Sequence, residues 1–312
     1  MCIRDRLNLS VIGISNSRMM IFDSAGINLD DWNTKLDAGE KADKDLFFEK
    51  TKALNMRNAI FVDNTANPVI AGTYAHYLEN NIGVVTCNKI ACADDLVNYQ
   101  KLKKLSHKYN APFLFETNVG AGLPIIDTLN HLIASGDQVH SIQAVLSGSL
   151  NFVFNSFNEN TSFREVVEQA MQEGYTEPDP KIDLSGIDVA RKILILARES
   201  GFALELSDIE NKSFLPKACL DSDSNESFLT SLDEHKAHFD ALYQNAAREN
   251  ARLKYVATFE SGKATVGLKH IPQGHDFYNL EGSDNIVLFY LSLIHISEPT
   301  RRRGISYAVF CL

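Results

Sequence analysis

Short apolar runs alternate with helical patterns through the first third of the chain, and this alternation constrains the fold more than any other feature. The runs at 59–63, 83–86 and 113–116 are typical of buried strands, and helical spacing of apolar residues separates them. Parallel strands need such crossover helices, which then cover both faces of the sheet. The sequence therefore predicts an α/β fold, and we expect a further short buried strand at 9–14.

The pattern changes at Pro124, which predicts two domains. Residues 7–123 are predicted to form an incomplete Rossmann-type dinucleotide-binding domain, because no strand and Gly-rich turn precede Leu9. Residues 124–290 are predicted to form a second α/β domain. Helical patterns cover 68–79, 96–109, 125–134, 163–174 and 187–201, and a hairpin pattern covers 255–269.

The two chain ends carry no comparable pattern. Residues 1–6 are short and charged, and residues 291–312 place an arginine run beside a mostly apolar segment. Chain ends without a patterned element seldom offset the entropy cost of becoming ordered. We therefore predict that both are non-native tails with few contacts to the core.

Composition excludes several classes of function. The net charge is −10 and no basic stripe is present, so the sequence predicts no nucleic-acid partner. The longest apolar runs, such as 193–197, are far shorter than a membrane span, which predicts no membrane association. The five cysteines are irregularly spaced, so we expect reduced thiols in a cytoplasmic protein rather than disulfides or a zinc site.

The segment 174–192 concentrates charged residues around a stiff, proline-containing loop. Asp188 and Lys192 lie four residues apart on one helix face, and alone they would be a surface ion pair worth about 0.3–0.5 kcal/mol. The preceding loop, however, carries Glu177 and Asp183, which could reach the same point. Carboxylates suit the ammonium group of an amino acid, and a buried lysine suits proton transfer in a carbonyl–alcohol interconversion.

Several blocks together resemble homoserine dehydrogenases from about Leu9 to Tyr290. They are 174–192, Glu116–Pro124, Val145–Asn151, 63–65 and 86–89. The resemblance implies reversible reduction of L-aspartate 4-semialdehyde to L-homoserine with NAD(P)H, a step of threonine and methionine biosynthesis. It also implies that the second domain holds the substrate and forms a homodimer or larger assembly. The stretch Gly26–Trp32 is most similar to bifunctional aspartokinase–homoserine dehydrogenases, which predicts a fused aspartokinase upstream.

The resemblance further implies roles for single residues. Lys192 and Lys89 are the two candidates for proton transfer, and Asp188 holds Lys192. The residues implied to contact the substrate are Glu177, Asp183, Ser149 and Tyr175. We expect the carboxylates and both lysines to meet in one cleft between the two domains.

The nucleotide site implied by the resemblance follows the first-domain strands. Its residues are Asn16, Ser17, Arg18, Asn64, Thr65 and Asn88. No acidic residue follows the strand predicted at 9–14, and this absence favours NADP over NAD. Arg18 suits a ribose phosphate, although an ordinary exposed arginine explains it equally well.

The resemblance also explains the glycine-rich block Glu116–Pro124. The family holds a sodium or potassium ion there, and the implied ligands are Glu116, Val119, Ala121 and Leu123. Carboxylate and backbone oxygens suit such a hard cation. A tight turn between domains also requires glycine, and the two interpretations are compatible.

Two other functions stay open. One is an inactive fragment or amino-acid-binding module without nucleotide binding, which the missing Gly-rich turn favours. The other is an oxidoreductase for a different semialdehyde, which the charges at 177–192 disfavour because they suit a free amino acid.

Overall fold

A computed structural model describes residues 9–292 and the backbone of residues 307–311. These residues form two compact units. The first contains 9–85 and 100–114, and the second contains 86–99, 115–292 and 307–311. The tail predicted at 1–6 lies outside the described residues, as do 293–306 and 312 of the other predicted tail. The domain boundary at Pro124 stays a prediction, and the segments 86–99 and 115–123 pack with the second unit.

Both units combine strands with helices, which confirms the predicted α/β class. Up to residue 116 the elements are β1 (Gly13–Ser15), β2 (Met19–Phe22), α1 (Trp32–Asp37), β3 (Glu40–Lys41), α2 (Lys44–Ala53), β4 (Ile60–Asp63), α3 (Pro68–Ala71), α4 (Tyr74–Glu79), β5 (Gly83–Thr86), α5 (Ile90–Ala93), α6 (Leu96–Tyr109) and β6 (Phe113–Leu114). Beyond it they are α7 (Thr117–Gly120), α8 (Ile125–Ala134), β7 (Val139–Val145), α9 (Gly148–Ser156), α10 (Phe163–Gln172), α11 (Pro180–Leu184), α12 (Ile187–Glu199), β8 (Ile209–Lys212), α13 (Lys217–Leu220), α14 (Asn225–Glu234), α15 (Lys236–Arg248), β9 (Ala251–Glu260), β10 (Lys263–Pro272), β11 (Ile286–Leu291) and β12 (Tyr307–Cys311). A 3₁₀ turn at Leu206–Asp208 precedes β8.

The prediction of a buried strand at 9–14 is wrong. Only Gly13–Ser15 is extended in a sheet, and Leu9 is 82% exposed. The Asn16 side chain explains the difference, because its Oδ1 accepts the N–H groups of Arg18 and Met19 at 2.7 and 2.8 Å. This turn folds the chain back, so β1 pairs antiparallel with β2, and β2 pairs antiparallel with β3.

The second sheet of the first unit has the order β4-β5-β6, and β5 pairs parallel with β6 as predicted. The single helix predicted at 68–79 is two short helices, α3 and α4, which are separated at Gly72 and Thr73. Aromatic packing joins helix to strand, since the Phe61 ring stacks on Tyr77 with centroids 4.1 Å apart. The alternate strand residues Ile60 and Val62 are more than half exposed.

A six-stranded sheet with the order β12-β11-β7-β9-β10-β8 dominates the second unit. The predicted hairpin is confirmed as β9 and β10, which pair antiparallel over ten residues each. Helices α9 and α12 pack against β9, and the apolar run 193–197 of α12 is fully buried. Strand β12 pairs antiparallel with β11 at the edge of the sheet. The sequence predicted no strand at these residues. Where the chain is described, no helix is long and apolar enough to cross a membrane.

A proline and a glycine shape the connection that leads into α12. Asp179 caps α11, because its side chain accepts the N–H of Lys181, and Pro180 occupies the first helical turn. Gly186 then adopts a left-handed conformation, with φ of +72°. An added Cβ there would lie only 1.9 Å from the hydroxyl of Tyr255. The buried side chain of Tyr255 therefore leaves room only for glycine at the start of α12.

Replacement of this glycine tests the connection. We expect Gly186→Ala to lower the free energy of unfolding by on the order of 2 kcal/mol or more, because a left-handed conformation and a steric clash both oppose the methyl group. Gly174→Ala is the matched control, since Gly174 has φ of +75° and no atom within 4 Å of an added Cβ. It should cost only about 1 kcal/mol. Urea unfolding followed by circular dichroism measures both, and equal losses would contradict the steric argument.

Candidate active site

The first turn of α12 places the carboxylate of Asp188 between two ammonium groups. Its Oδ2 lies 2.9 Å from Lys192 Nζ, and its Oδ1 lies 3.2 Å from Lys89 Nζ. The two lysine side chains are only 15% and 28% exposed, so water screens these charges less than it would at the surface. The second unit therefore brings the three predicted catalytic residues into contact, although Lys89 is distant in sequence.

Contacts of the preceding turn and of α5 fix the position of Lys89. Asn88 is buried, and its backbone N–H donates to the Thr86 hydroxyl at 2.8 Å. Further along, the buried guanidinium of Arg198 donates to the Cys92 carbonyl at 2.8 Å. Since Arg198 belongs to α12, this bond anchors the segment with Lys89 beside the helix that carries its ionic partner.

A second group of predicted residues surrounds Asp183. The Ser149 hydroxyl lies 3.0 Å from Asp183 Oδ1 and 2.6 Å from the Tyr175 carbonyl oxygen. The backbone N–H of Glu177 donates to Asp183 Oδ2 at 2.8 Å, while the Glu177 side chain is exposed. The Tyr175 ring stacks on Phe152, with centroids 4.3 Å apart. All four residues predicted to contact the substrate thus lie in one hydrogen-bonded group, the Asp183 group, which consists of Ser149, Tyr175, Glu177 and Asp183.

The turn between β7 and α9 connects the two groups. Its Leu146 carbonyl accepts a hydrogen bond from Lys192 Nζ at 2.7 Å, and three residues later Ser149 reaches Asp183. The Ser147 side chain caps α9 and so fixes the turn. The lysine pair and the Asp183 group are therefore parts of one polar site in the second unit.

The positive charges of Lys192 and Lys89 favour the ionised form of Asp188. Burial raises the pKa of this carboxyl, but the ammonium groups of Lys192 and Lys89 outweigh burial and hold the pKa below its ordinary value of 3.8. The ionised carboxylate therefore stabilises the fold at a pH above that value, and this contribution is lost as the pH falls through the folded-state pKa. At neutral pH the two lysines therefore share the ionised carboxylate of Asp188.

The segment predicted to hold a cation forms a tight turn. Both carboxylate oxygens of Glu116 accept main-chain N–H groups, from Ile126 at 2.7 Å and Asp127 at 2.8 Å, and so cap α8. The Leu123 carbonyl accepts the N–H of Ile125 at 2.9 Å. In the described part of the chain, no group of three or more His, Cys, Asp or Glu side chains is placed to hold a metal ion. Cation binding stays a prediction.

Three residues predicted to bind the nucleotide form the β1–β2 turn of the first unit. Asn16 builds the turn through its side chain, and Ser17 and Arg18 are exposed at its tip. The exposed guanidinium is therefore available to a ligand, and the turn carries no acidic side chain.

Two further predicted nucleotide residues, Asn64 and Thr65, follow β4. The carboxylate of Asp63 orders this turn, because Oδ1 accepts the N–H of Thr65 at 2.8 Å and Oδ2 accepts the Tyr74 hydroxyl at 2.5 Å. Strand ends of this kind are the usual ligand sites of α/β sheets.

Among the buried polar residues that the sequence analysis did not single out are Asn118, Arg198 and Lys254. Arg198 and Lys254 each interrupt an otherwise apolar helix or strand pattern, which is the signal that could have identified them. Burial lowers the pKa of Lys254 to about 8. Asn118 belongs to the glycine-rich block. With its amide nitrogen turned towards the neighbouring carbonyls, it donates to Thr86 at 3.2 Å and Cys87 at 3.0 Å.

Comparison with known families agrees with this arrangement. A model described as the homoserine dehydrogenase NAD-binding domain matches residues 6–116, and the homoserine dehydrogenase model matches residues 124–296. The fold and the matches define an α/β protein with an NAD-binding domain and a catalytic domain. The chain belongs to the homoserine dehydrogenase family.

Individual relatives support the assignment. A bifunctional aspartokinase/homoserine dehydrogenase of Haemophilus influenzae is 39% identical over 92% of this chain, which spans 35% of that protein. The crystal structure of a Candida auris protein of unknown function is 33% identical, with a TM-score of 0.82 over 90% of this chain and 81% of that one. A hyperthermophilic archaeal homoserine dehydrogenase in complex with NADPH shares the fold, at 21% identity and a TM-score of 0.68 over 96% of this chain and 81% of that one.

Titration of Asp188 tests the shared carboxylate. We expect Lys192→Ala and Lys89→Ala each to raise the pKa of the Asp188 carboxyl, with the larger rise for Lys192→Ala because Lys192 contributes the stronger attraction. NMR titration of the side-chain carboxyl carbons measures the change. Lys181→Ala is the control, since Lys181 faces Asp179 instead. An unchanged Asp188 pKa in both site variants would show that the lysines do not share it.

Proposed function

We propose that this chain interconverts L-homoserine and L-aspartate 4-semialdehyde with NADP(H). The observation that carries the proposal is the Asp188 carboxylate held between Lys192 and Lys89, beside the Asp183 group. The chain spans about a third of the length of the bifunctional relatives that it matches, so a fused aspartokinase is described for those proteins and stays a prediction here.

The lysines would transfer the proton of the reaction. Bound NADPH supplies a hydride to the aldehyde carbon, and the carbonyl oxygen then needs a proton. Lys192 directs two of its three N–H bonds to Asp188 and to the Leu146 carbonyl, which leaves one for that oxygen. Asp188 orients the ammonium group through the 2.9 Å contact. Lys89, on the other oxygen of Asp188, is the second candidate for this role.

The carboxylates would orient the substrate. Asp183 is already fixed by the Ser149 hydroxyl and the Glu177 N–H, so it offers a rigid acceptor for the polar groups of homoserine. The exposed carboxylate of Glu177 suits the ammonium group. The Ser149 hydroxyl lies between Asp183 and the Tyr175 carbonyl, at 3.0 and 2.6 Å, and the Tyr175 ring stacks on Phe152, so this side of the site is held in place.

NADP is the nucleotide that the first unit suits better. The exposed Arg18 and the absence of an acidic side chain at Asn16–Arg18 favour a ribose 2′-phosphate, and the polar turn Asn64–Thr65 ends a sheet strand. Asn88, the sixth residue that the resemblance implies for the nucleotide, follows β5 and belongs to the second unit, so its role stays a prediction. The archaeal homoserine dehydrogenase of similar fold was solved with NADPH.

We also propose a sodium or potassium ion near Glu116, held with the carbonyl oxygens of Val119, Ala121 and Leu123. Each Glu116 oxygen uses one lone pair for a main-chain N–H and retains another, which supports the proposal. No step of the reaction requires the ion. The family resemblance supports a homodimer or larger assembly, and the irregular cysteine spacing supports a location in the cytoplasm.

Separate substitutions of Lys192 and Glu177 distinguish proton transfer from substrate binding. In the full chain, Lys192→Ala should lower kcat by on the order of 10²–10⁴-fold, as loss of a general acid does. Glu177→Ala should chiefly raise the KM for homoserine, because it removes a binding contact. Both are measured by the absorbance of NADPH. Lys236→Ala, which alters only a surface pair with Asp240, is the matched control and should leave both constants unchanged.

Two results would revise the proposal. If folded Lys192→Ala keeps nearly normal turnover, Lys89 becomes the leading proton donor. If the unaltered chain binds homoserine but turns it over with neither nucleotide, it is an amino-acid-binding module and the proposed activity is wrong.

Nucleotide preference depends on Arg18. We expect Arg18→Ala to raise the KM for NADP by on the order of tenfold and to change the KM for NAD by less than about twofold, because only NADP carries the 2′-phosphate. Initial rates with each nucleotide measure the effect. Arg57→Ala is the control, since Arg57 is an exposed arginine of the same unit. Parallel changes for both nucleotides would exclude a phosphate contact by Arg18.

A further inference from the structure

Lys254 of β9 is a fully buried lysine that the proposed reaction does not use. Its side chain has 0% exposure, and its ammonium group donates to Asn151 Oδ1 at 2.9 Å, Asn155 Oδ1 at 2.5 Å and the Leu280 carbonyl at 2.5 Å. A buried charge is strongly unfavourable unless hydrogen bonds satisfy it, and here all three N–H groups have acceptors. Lys254 therefore joins three chain segments at one point, namely its own strand β9, helix α9 and the loop that contains Leu280.

The two asparagines extend the arrangement to a loop. They lie four residues apart on α9, and their amide nitrogens donate at 2.9 Å to the carbonyls of Asp284 and Gly282. A Cβ on Gly148, at the start of the same helix, would lie 3.0 Å from the Ser283 carbonyl oxygen. Hydrogen bonds and close packing thus hold α9 against the loop at 280–284.

The same helix begins at the candidate active site. Its preceding turn directs the Leu146 carbonyl to Lys192, and its first turn directs the Ser149 hydroxyl to Asp183. Rotation or translation of α9 would therefore move both contacts together. Apolar packing is not directional, whereas hydrogen bonds to Asn151 and Asn155 select one rotation of the helix.

We propose that Lys254 is a positioning residue for the substrate site, because its bonds to Asn151 and Asn155 set the orientation of α9 and hence of the Leu146–Ser149 turn. The proposal rests on the proposed function. It assigns Lys254 no contact with substrate or nucleotide, and its effect reaches the substrate through Ser149 and Asp183.

The test replaces the buried charge with an apolar side chain of similar length. We expect Lys254→Met to raise the KM for homoserine by on the order of tenfold and to leave the KM for NADP nearly unchanged, because the predicted phosphate contact belongs to the first unit. A purely structural role would lower the active fraction and hence the apparent kcat, but would leave the KM for homoserine unchanged. Lys269→Met, on the neighbouring strand and bonded to Thr258, is the matched control.

Two further variants address folding and coupling. Asn155→Ala removes one acceptor at a half-buried position and should raise the KM for homoserine in the same direction, even if Lys254→Met does not fold. In a Ser149→Ala background, either substitution should add little, since coupled residues are not additive.

The outcomes distinguish the two proposals. If the unaltered chain does not oxidise homoserine with NADP, the proposed function is wrong. If it does, and the folded Lys254 or Asn155 variants keep the normal KM for homoserine, the positioning role is wrong. A full additional loss in the Ser149→Ala background would also overturn it.

Discussion

The carboxylate of Asp188, shared by the ammonium groups of Lys192 and Lys89, is the interaction on which the arrangement of the second unit depends. Without the carboxylate, the two neighbouring ammonium groups would repel each other. Without the ammonium groups, the partly buried carboxylate would destabilise the fold. The shared contact therefore requires the segment 86–99 to lie beside α12. Bonds at the other end of α12 support the same requirement, since Tyr99 donates to Glu199 and Arg198 donates to the Cys92 carbonyl.

The opposite side of the site depends on one turn. Between β7 and α9 the chain presents the Leu146 carbonyl to Lys192 and the Ser149 hydroxyl to Asp183. The lysine pair and the Asp183 group therefore contact the same short segment. The buried Lys254 fixes the helix that follows this turn, and Gly186 leaves room for the Tyr255 side chain of β9 beside the helix that carries Asp188. Strand β9 therefore contributes to the geometry of the site although it carries no residue predicted to touch substrate.

Local patterns predicted those elements whose side chains repeat regularly. The helices at 96–109 and 125–134 have the predicted bounds, and the strand at 83–86 does as well, because helical or strand periodicity is strong there. The pattern failed at 9–14, where an apolar run does not reveal its pairing partner and the Asn16 turn reverses the chain. It also missed the break at Gly72 and Thr73.

The sequence by itself determined the α/β class, the family and the residue types of the site, because the charged block 174–192 and the spacing of Asp188 and Lys192 on one helix are local properties. Only the tertiary structure decided which segments meet. The pairing of Lys89 with Asp188, and the burial of Lys254 against α9, depend on contacts between residues about a hundred positions apart. Periodicity does not encode such contacts, since packing and the need to satisfy buried charge select them only once the chain has folded.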